Sequence, residues 1–504
     1  MGYLTEKKFY VILVINALLW TFVESLRTVI SRDSMEAIIW GGLFSFGTNK
    51  HPPLSGWLAG GFYSLFQEHN FAIYLLGVIC LVVGLIYIYK LARFFLDEKK
   101  AICSTLIITT CFYYTFQIFY DNFNCNIISM ALWPVMIYYF YKSLKFNKLK
   151  DWILFGIAFG LSFMAKYQVI FLAFTMFLYM LIAQRQYFKQ FKVYLSLLIA
   201  FLIVLPHIIW LNQNDWFSFA YLAGRTKSVV DSSVLMNIFH RIMFSAKFYI
   251  DQVLALAPCF VLYLILALKE KNISTNFNKE NLNDKLFLLF TGLLPLLLIG
   301  ITGLFTASRV VGAWGVAMVG YIGVILFYFF PVEIKEETYK YFVKWIIGML
   351  LAWQLAMAIF AVAQTKIDMG FPYKKVMNDF NEIWAQNTEN AKLKYVGGSI
   401  YYLFQFKLYN FEKPDIILET YGHKNPWLNE KDVSDSGVLI VAKNEDEAKS
   451  FAKEISSLFN IEGEFDCKSY DFSITNKFKK TKKFEIHYII IPPAVQKPML
   501  KETK

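Results

Sequence analysis

Residues 32–57 read RDSMEAIIWGGLFSFGTNKHPPLSGW and lie between two strongly apolar runs. The stretch holds two acids three apart (Asp33 and Glu36), a basic pair (Lys50 and His51) and the double proline Pro52–Pro53. The flanking runs, Phe9 to Leu26 and residues 71–90, are each close to the roughly 20 residues that cross about 30 Å of hydrocarbon. Similar runs recur along the 504-residue chain, which is 57% hydrophobic and only 17% charged. A soluble domain holds about 45–50% apolar residues. The chain therefore reads as a polytopic α-helical membrane protein, with 32–57 in a loop outside its first span.

About eleven spans are expected, near 8–26, 71–90, 101–117, 124–141, 152–165, 168–184, 193–212, 248–268, 286–303, 310–330 and 345–364. The first has no small-residue cleavage site after it and reads as retained. The net charge of +12 sits mostly in short loops, which is a topology signal and not a nucleic-acid patch. With the N-terminus inside, the inside segments carry 20 Lys and Arg and the outside segments before the tail carry nine. An odd span count then places everything after about residue 365 outside. Four cysteines lie in apolar runs, and Cys125 and Cys467 are too isolated to imply a disulfide framework.

Two domains are expected: a membrane domain over 1–365, with an external first loop at 27–70, and an external α/β domain over 366–504. In the latter, KYVGGSIYYLFQF reads as strand, glycine turn and helix, and PDIILETY as a strand. GVLIVAKNEDEAKSFAKEISSLF reads as a buried strand, a turn and an amphipathic helix, and FEIHYIIIPP as a late strand stopped by proline. No glycine-rich phosphate motif supports nucleotide binding.

Five polar groupings face the outer side: the 27–70 loop, YDNFNCN with Asp121, Asn122, Asn124 and Asn126, the Lys166–Tyr167–Gln168 hairpin, the 212–247 loop, and Arg309. Each has a plain structural account. Asp33 suits an N-cap with Glu36 at the capping-box position, the prolines start a helix, and Lys166 can snorkel to headgroups. Taken together, acids and cations on one face suit a different task. An acid deprotonates or orients an acceptor hydroxyl, while cations hold a phosphate leaving group and neutralise its growing charge.

The pattern D-x-x-E-x-x-x-W followed by H-P-P-L-x-x-W-L resembles the GT-C membrane glycosyltransferases, in particular the protein O-mannosyltransferase-like and lipid A aminoarabinose transferase-like enzymes. NFNCNIISMALWP, AKYQ, GAWGVAM and the tail segments YVGGSIYYLFQF and SGVLIVA fit the same order, so the likeness covers most of the chain. The resemblance implies a polyprenyl-phosphate-sugar donor and an acceptor such as lipid A or another envelope glycolipid, with a protein as the alternative acceptor. It also implies the periplasmic face of a bacterial inner membrane, surrounding membrane lipids, no nucleic-acid partner and no catalytic metal cofactor.

The family's first-loop acid, its usual catalytic candidate, matches Asp33, with Glu36 in the same motif. The aminoarabinose transferases carry a Lys-Pro pair whose lysine holds the donor phosphate. Here His51–Pro52 stands there, with Lys50 just before, and both are candidates. The family's second acid position falls on Asn126, with Asp121 five residues earlier, so a two-acid mechanism is not implied. Lys166 and Arg309 are further candidates for phosphate. Asp121, Asn122, Asn124, Asn126 and Tyr167 are candidates for substrate. A lipid-linked-sugar flippase is the competing class, but the charges gather on one face and the halves show no internal repeat.

Overall fold

The structure is a computed structural model that describes residues 5–216, 218–219, 233–277, 279–306, 310–418, 425 and 428–494. It divides into two compact units. One comprises Met1–Leu26 and Phe44–Ile359, and the other Arg27–Leu43 and Phe360–Lys504.

The first unit is helical. Among the described residues five helices are long and apolar enough to cross a membrane: Phe71–Ala92, Cys125–Phe146, Phe191–Gln213, Val234–Glu270 and Glu336–Ala363. Two bent pairs raise the number to seven, Glu98–Ile108 with Phe112–Asp121 (78°) and Leu282–Gly292 with Leu294–Phe305 (44°). The sequence reading takes 101–117 as one continuous span. The bend has a local cause: the Thr109 and Thr110 hydroxyls donate back to the carbonyls of Leu106 (2.5 Å) and Ile107 (2.7 Å). Such bonds compete with the helical ladder.

Over 310–330 the expected span is also not one helix. A 3₁₀ turn at Gly312–Gly315 precedes an eight-residue helix, Ile322–Phe329. The 3₁₀ turn lies tight against the helix Val234–Glu270. A Cβ on Gly315 would lie 2.1 Å from Gln252 Oε1.

Small residues let the long helices approach. Gly156 and Gly160, a G-x-x-x-G pair, face the Phe191–Gln213 helix, where a Cβ would lie 2.5 Å from the Ser196 carbonyl and 2.9 Å from Ile203. In lipid this close contact replaces the hydrophobic drive as the packing force.

The second unit holds a five-stranded sheet of order β2-β1-β3-β5-β4. Its strands are β1 (Tyr395–Gly398), β2 (Asp415–Ile417), β3 (Val438–Ala442), β4 (Cys467–Thr475) and β5 (Thr481–Ile491). β2, β1 and β3 are parallel, whereas β5 is antiparallel to β3 and β4. The helix Glu445–Phe459 buries Ala448, Ala452, Ile455 and Phe459 on the sheet, the one-sided spacing of an amphipathic helix. Four of the strands match the sequence reading. β4 was not anticipated, because only Phe472 and Ile474 of its nine residues are buried.

Candidate functional site

In the first unit the site grows from a three-residue reversal. Helix Leu149–Ala165 ends and helix Val169–Ala183 begins with only Lys166–Gln168 between them. Each of those residues reaches a different helix or turn. Lys166 Nζ donates to Asn126 Oδ1 at 2.5 Å. The Tyr167 hydroxyl meets His207 Nε2 at 2.8 Å. Gln168 Nε2 donates to the Trp314 carbonyl at 2.9 Å. Lys166 is only 9% exposed, and a charge that deep needs polar partners.

Asn126 stands where the resemblance expects a second acid. An amide oxygen orients the Lys166 ammonium without adding a negative charge. Its position is set by Asn124, which caps the Cys125–Phe146 helix by accepting from the Asn126 and Ile127 amides at 2.9 and 3.1 Å. Asn124 Nδ2 donates in turn to Asp121 Oδ2 at 2.9 Å, and Gln117 Nε2 donates to the same oxygen at 2.5 Å. Asp121 and Asn124 therefore serve at least to build the helix start.

Asn122 between them has φ +55° and ψ −73°, a conformation that costs energy in any non-glycine residue. Two features hold it. Its Nδ2 donates to the Phe119 carbonyl at 3.1 Å, and the Phe71–Ala92 helix lies against its backbone, where a Cβ on Gly77 would fall 2.1 Å from the Asn122 carbonyl.

The Lys50–His51 pair is carried on a turn organised by Thr48. The Thr48 hydroxyl accepts from the Lys50 and His51 amides at 3.1 and 2.9 Å and donates to the His51 carbonyl at 2.9 Å. Pro52 and Pro53 then lead into the helix Leu54–Leu65. Lys50 and His51 are half-buried. Burial pushes the His51 pKa down to about 3, and the Lys166 and Lys50 charges add to the effect. The imidazole is therefore neutral, and the three side chains are near enough to feel one another.

His207 was not among the residues expected from the sequence. Its signal is visible there: a lone ionisable residue in the apolar run VLPHIIW. It is fully buried. Nδ1 contacts the Phe46 carbonyl at 2.7 Å, and Nε2 contacts Tyr167. Arg309 lies outside the described residues.

In the second unit Asp33 and Glu36 lie in the helix Arg32–Leu43, which packs on the helix Ile400–Tyr409. Asp33 is exposed in the first turn and Glu36 is buried. Asp33 is not the N-cap. The Ser31 hydroxyl fills that place by accepting from the Ser34 amide at 3.2 Å. The segment is fixed by Arg27 Nη2 to the Asp368 carbonyl (3.0 Å), Thr28 N to the Met369 carbonyl (2.9 Å) and an Arg32–Asp368 ion pair at 3.4 Å. Among the described residues no three His, Cys, Asp or Glu side chains are grouped to hold a metal ion.

Residues 50–210 match the family described as dolichyl-phosphate-mannose-protein mannosyltransferase. No match was found among curated protein sequences. Among solved structures, ArnT from Cupriavidus metallidurans bound to undecaprenyl phosphate aligns over 95% of this chain and 97% of its own, with a TM-score of 0.58 at 11% identity. The Archaeoglobus fulgidus oligosaccharyltransferase, in complex with Zn and sulfate, aligns over 94% of this chain and 73% of its own, with a TM-score of 0.46 at 12% identity. Residues 50–210 thus match that mannosyltransferase family, and the chain as a whole shares the fold of ArnT.

Proposed function

We propose that the chain transfers a sugar from a polyprenyl-phosphate-linked donor to lipid A or another envelope glycolipid, at the periplasmic face of a bacterial inner membrane. The observation that carries this is the Lys166 ammonium, nearly buried and aimed by Asn126, in electrostatic reach of the Lys50–His51 turn. Two cations beside a neutral imidazole suit a phosphate that gains charge as it leaves. The similar ArnT structure holds undecaprenyl phosphate, which supports a lipid phosphate as the group bound.

In this reading Asp33 is the acid/base. Its carboxylate takes the proton of the acceptor hydroxyl, whose oxygen attacks the anomeric carbon. The bond from that carbon to the phosphate oxygen breaks, and polyprenyl phosphate leaves. Lys50 and Lys166 hold the phosphate, and Glu36 supports the acid-bearing helix.

Mass spectrometry of glycolipids tests it in cells lacking the gene, complemented with wild type or Asp33→Asn. A sugar-sized mass that returns only with wild type is the expected result. A mass restored equally by Asp33→Asn would sink the assignment of Asp33. An unchanged glycolipid profile would favour the second reading, a protein acceptor, which the description of the matched family supports.

A further inference from the structure

We infer that His207 is a positioning residue that fixes the spacing between the Lys50–His51 turn and the Lys166–Tyr167 hairpin, and so sets the donor-phosphate site. The inference rests on the proposed role of those lysines.

The geometry is a bridge. A carbonyl oxygen only accepts, so His207 Nδ1 carries a proton and donates to Phe46 (2.7 Å). In the neutral ring Nε2 is then bare and accepts from the Tyr167 hydroxyl at 2.8 Å. One imidazole therefore ties the segment leading into the Thr48 turn to the residue next to Lys166. Both ring nitrogens are used, and the side chain is fully buried.

Stacking reinforces the bridge. The His207 ring packs close to parallel with Tyr167, at 5.7 Å and 28°, and with Trp210, at 6.2 Å and 13°. Trp210 lies directly against Gly47, where a Cβ would come within 2.0 Å of its ring. Residues 46 and 47 are thus held by two residues one turn apart on one face of the helix. A third tie comes from the Ser218 hydroxyl, which donates to the Thr48 carbonyl at 2.5 Å. Ser218 also hydrogen-bonds the Tyr167 side chain, so it backs the His207 bridge between the same two segments. His207 bonds Phe46 and Tyr167, the neighbours of the two lysine-bearing turns, so its effect on phosphate passes through them.

The test uses full-length protein in nanodiscs. Undecaprenyl phosphate binding is measured by native mass spectrometry, and donor KM and kcat are measured on the glycosylation that the deletion experiment identifies. His207→Ala and Tyr167→Phe are each expected to weaken undecaprenyl phosphate binding and raise donor KM by roughly five- to tenfold, the loss of one buried hydrogen bond. Changes in kcat should be smaller. His207→Gln, which keeps donor and acceptor atoms, should recover part of the loss.

The double variant should be no worse than His207→Ala, because both changes cut one bridge. Tyr167→Phe removes a single oxygen atom and keeps the test readable if His207→Ala does not fold. Losses that add in the double variant, or unchanged lipid binding in Tyr167→Phe, would overturn the bridge while leaving the donor reading intact. Wild-type protein that binds no undecaprenyl phosphate would overturn both.

Discussion

At the scale of single residues, the neighbouring Lys50 and His51 differ in what they can offer a phosphate. The His51 pKa is pushed down to about 3 by burial and by the Lys166 and Lys50 charges. An unfolded chain has a histidine near 6.5. Between those values the unfolded chain takes up a proton that the folded chain refuses. Stability from His51 is therefore complete above about pH 6.5 and falls as pH drops toward 3. Wild type should lose more melting temperature than His51→Gln between pH 7.5 and pH 5. Equal losses would mean that the imidazole titrates normally.

The same charge state divides the phosphate roles. Lys50→Gln is expected to weaken undecaprenyl phosphate binding by about tenfold or more, the value of a charge-assisted hydrogen bond. His51→Gln should change it much less. The reverse order, measured by the same binding assay, would give His51 the charge.

Glycine packing gives a second residue-scale prediction with an internal control. A methyl at Gly47 meets the Trp210 ring at 2.0 Å, whereas one at Gly61 meets nothing within 4 Å. Gly47→Ala should lower donor affinity and thermal stability. Gly61→Ala, in the helix Leu54–Leu65, should be neutral or stabilising by up to about 1 kcal/mol. Melting curves of the two variants decide it.

At the scale of elements, what the sequence revealed depended on how local the cause was. The strand–turn–helix of the second unit was legible because every signal is local: Val438–Ala442 is a continuous apolar strand, and the Asn444 side chain accepts from the Glu447 amide at 2.9 Å to cap the next helix. Asn444→Ala should cost about 1 kcal/mol, read as faster amide exchange across Glu445–Phe459. Unchanged exchange there would remove the cap from the account. The bend after Ile108 was hidden because hydropathy does not register a pair of threonines bonding backward. The plain structural account of Asp33 as a cap fails for a similar reason. Ser31 is an equally good cap two residues earlier, and only its bond from the Ser34 amide separates them. The polar groups of the hairpin were legible as chemistry, but their partners were not. Lys166 to Asn126 and Tyr167 to His207 each span 40 residues, and no spacing rule reaches that far.

At the scale of the whole molecule, the second unit is discontinuous in sequence. Helix Arg32–Leu43 belongs with residues more than 300 positions later, through Arg27, Thr28 and Arg32 to Asp368 and Met369 and through the Ile30 amide to the Tyr409 hydroxyl at 3.3 Å. Loop composition alone suggests no such pairing. Its consequence is that the candidate acid Asp33 is placed by the folding of the C-terminal segment. The Arg32–Asp368 pair is partly exposed and so contributes little. Arg27 is buried, and its bond to the Asp368 carbonyl matters more. In full-length protein Arg27→Ala should speed amide exchange by roughly tenfold, the scale of one buried hydrogen bond. The change should appear together in residues 27–43 and 400–409, because the two helices open as one unit, and the Glu445–Phe459 helix should keep its protection. Exchange that rises only around residue 368 would mean that the Asp33 helix is held by other contacts, and that the C-terminal segment does not set the position of the acid.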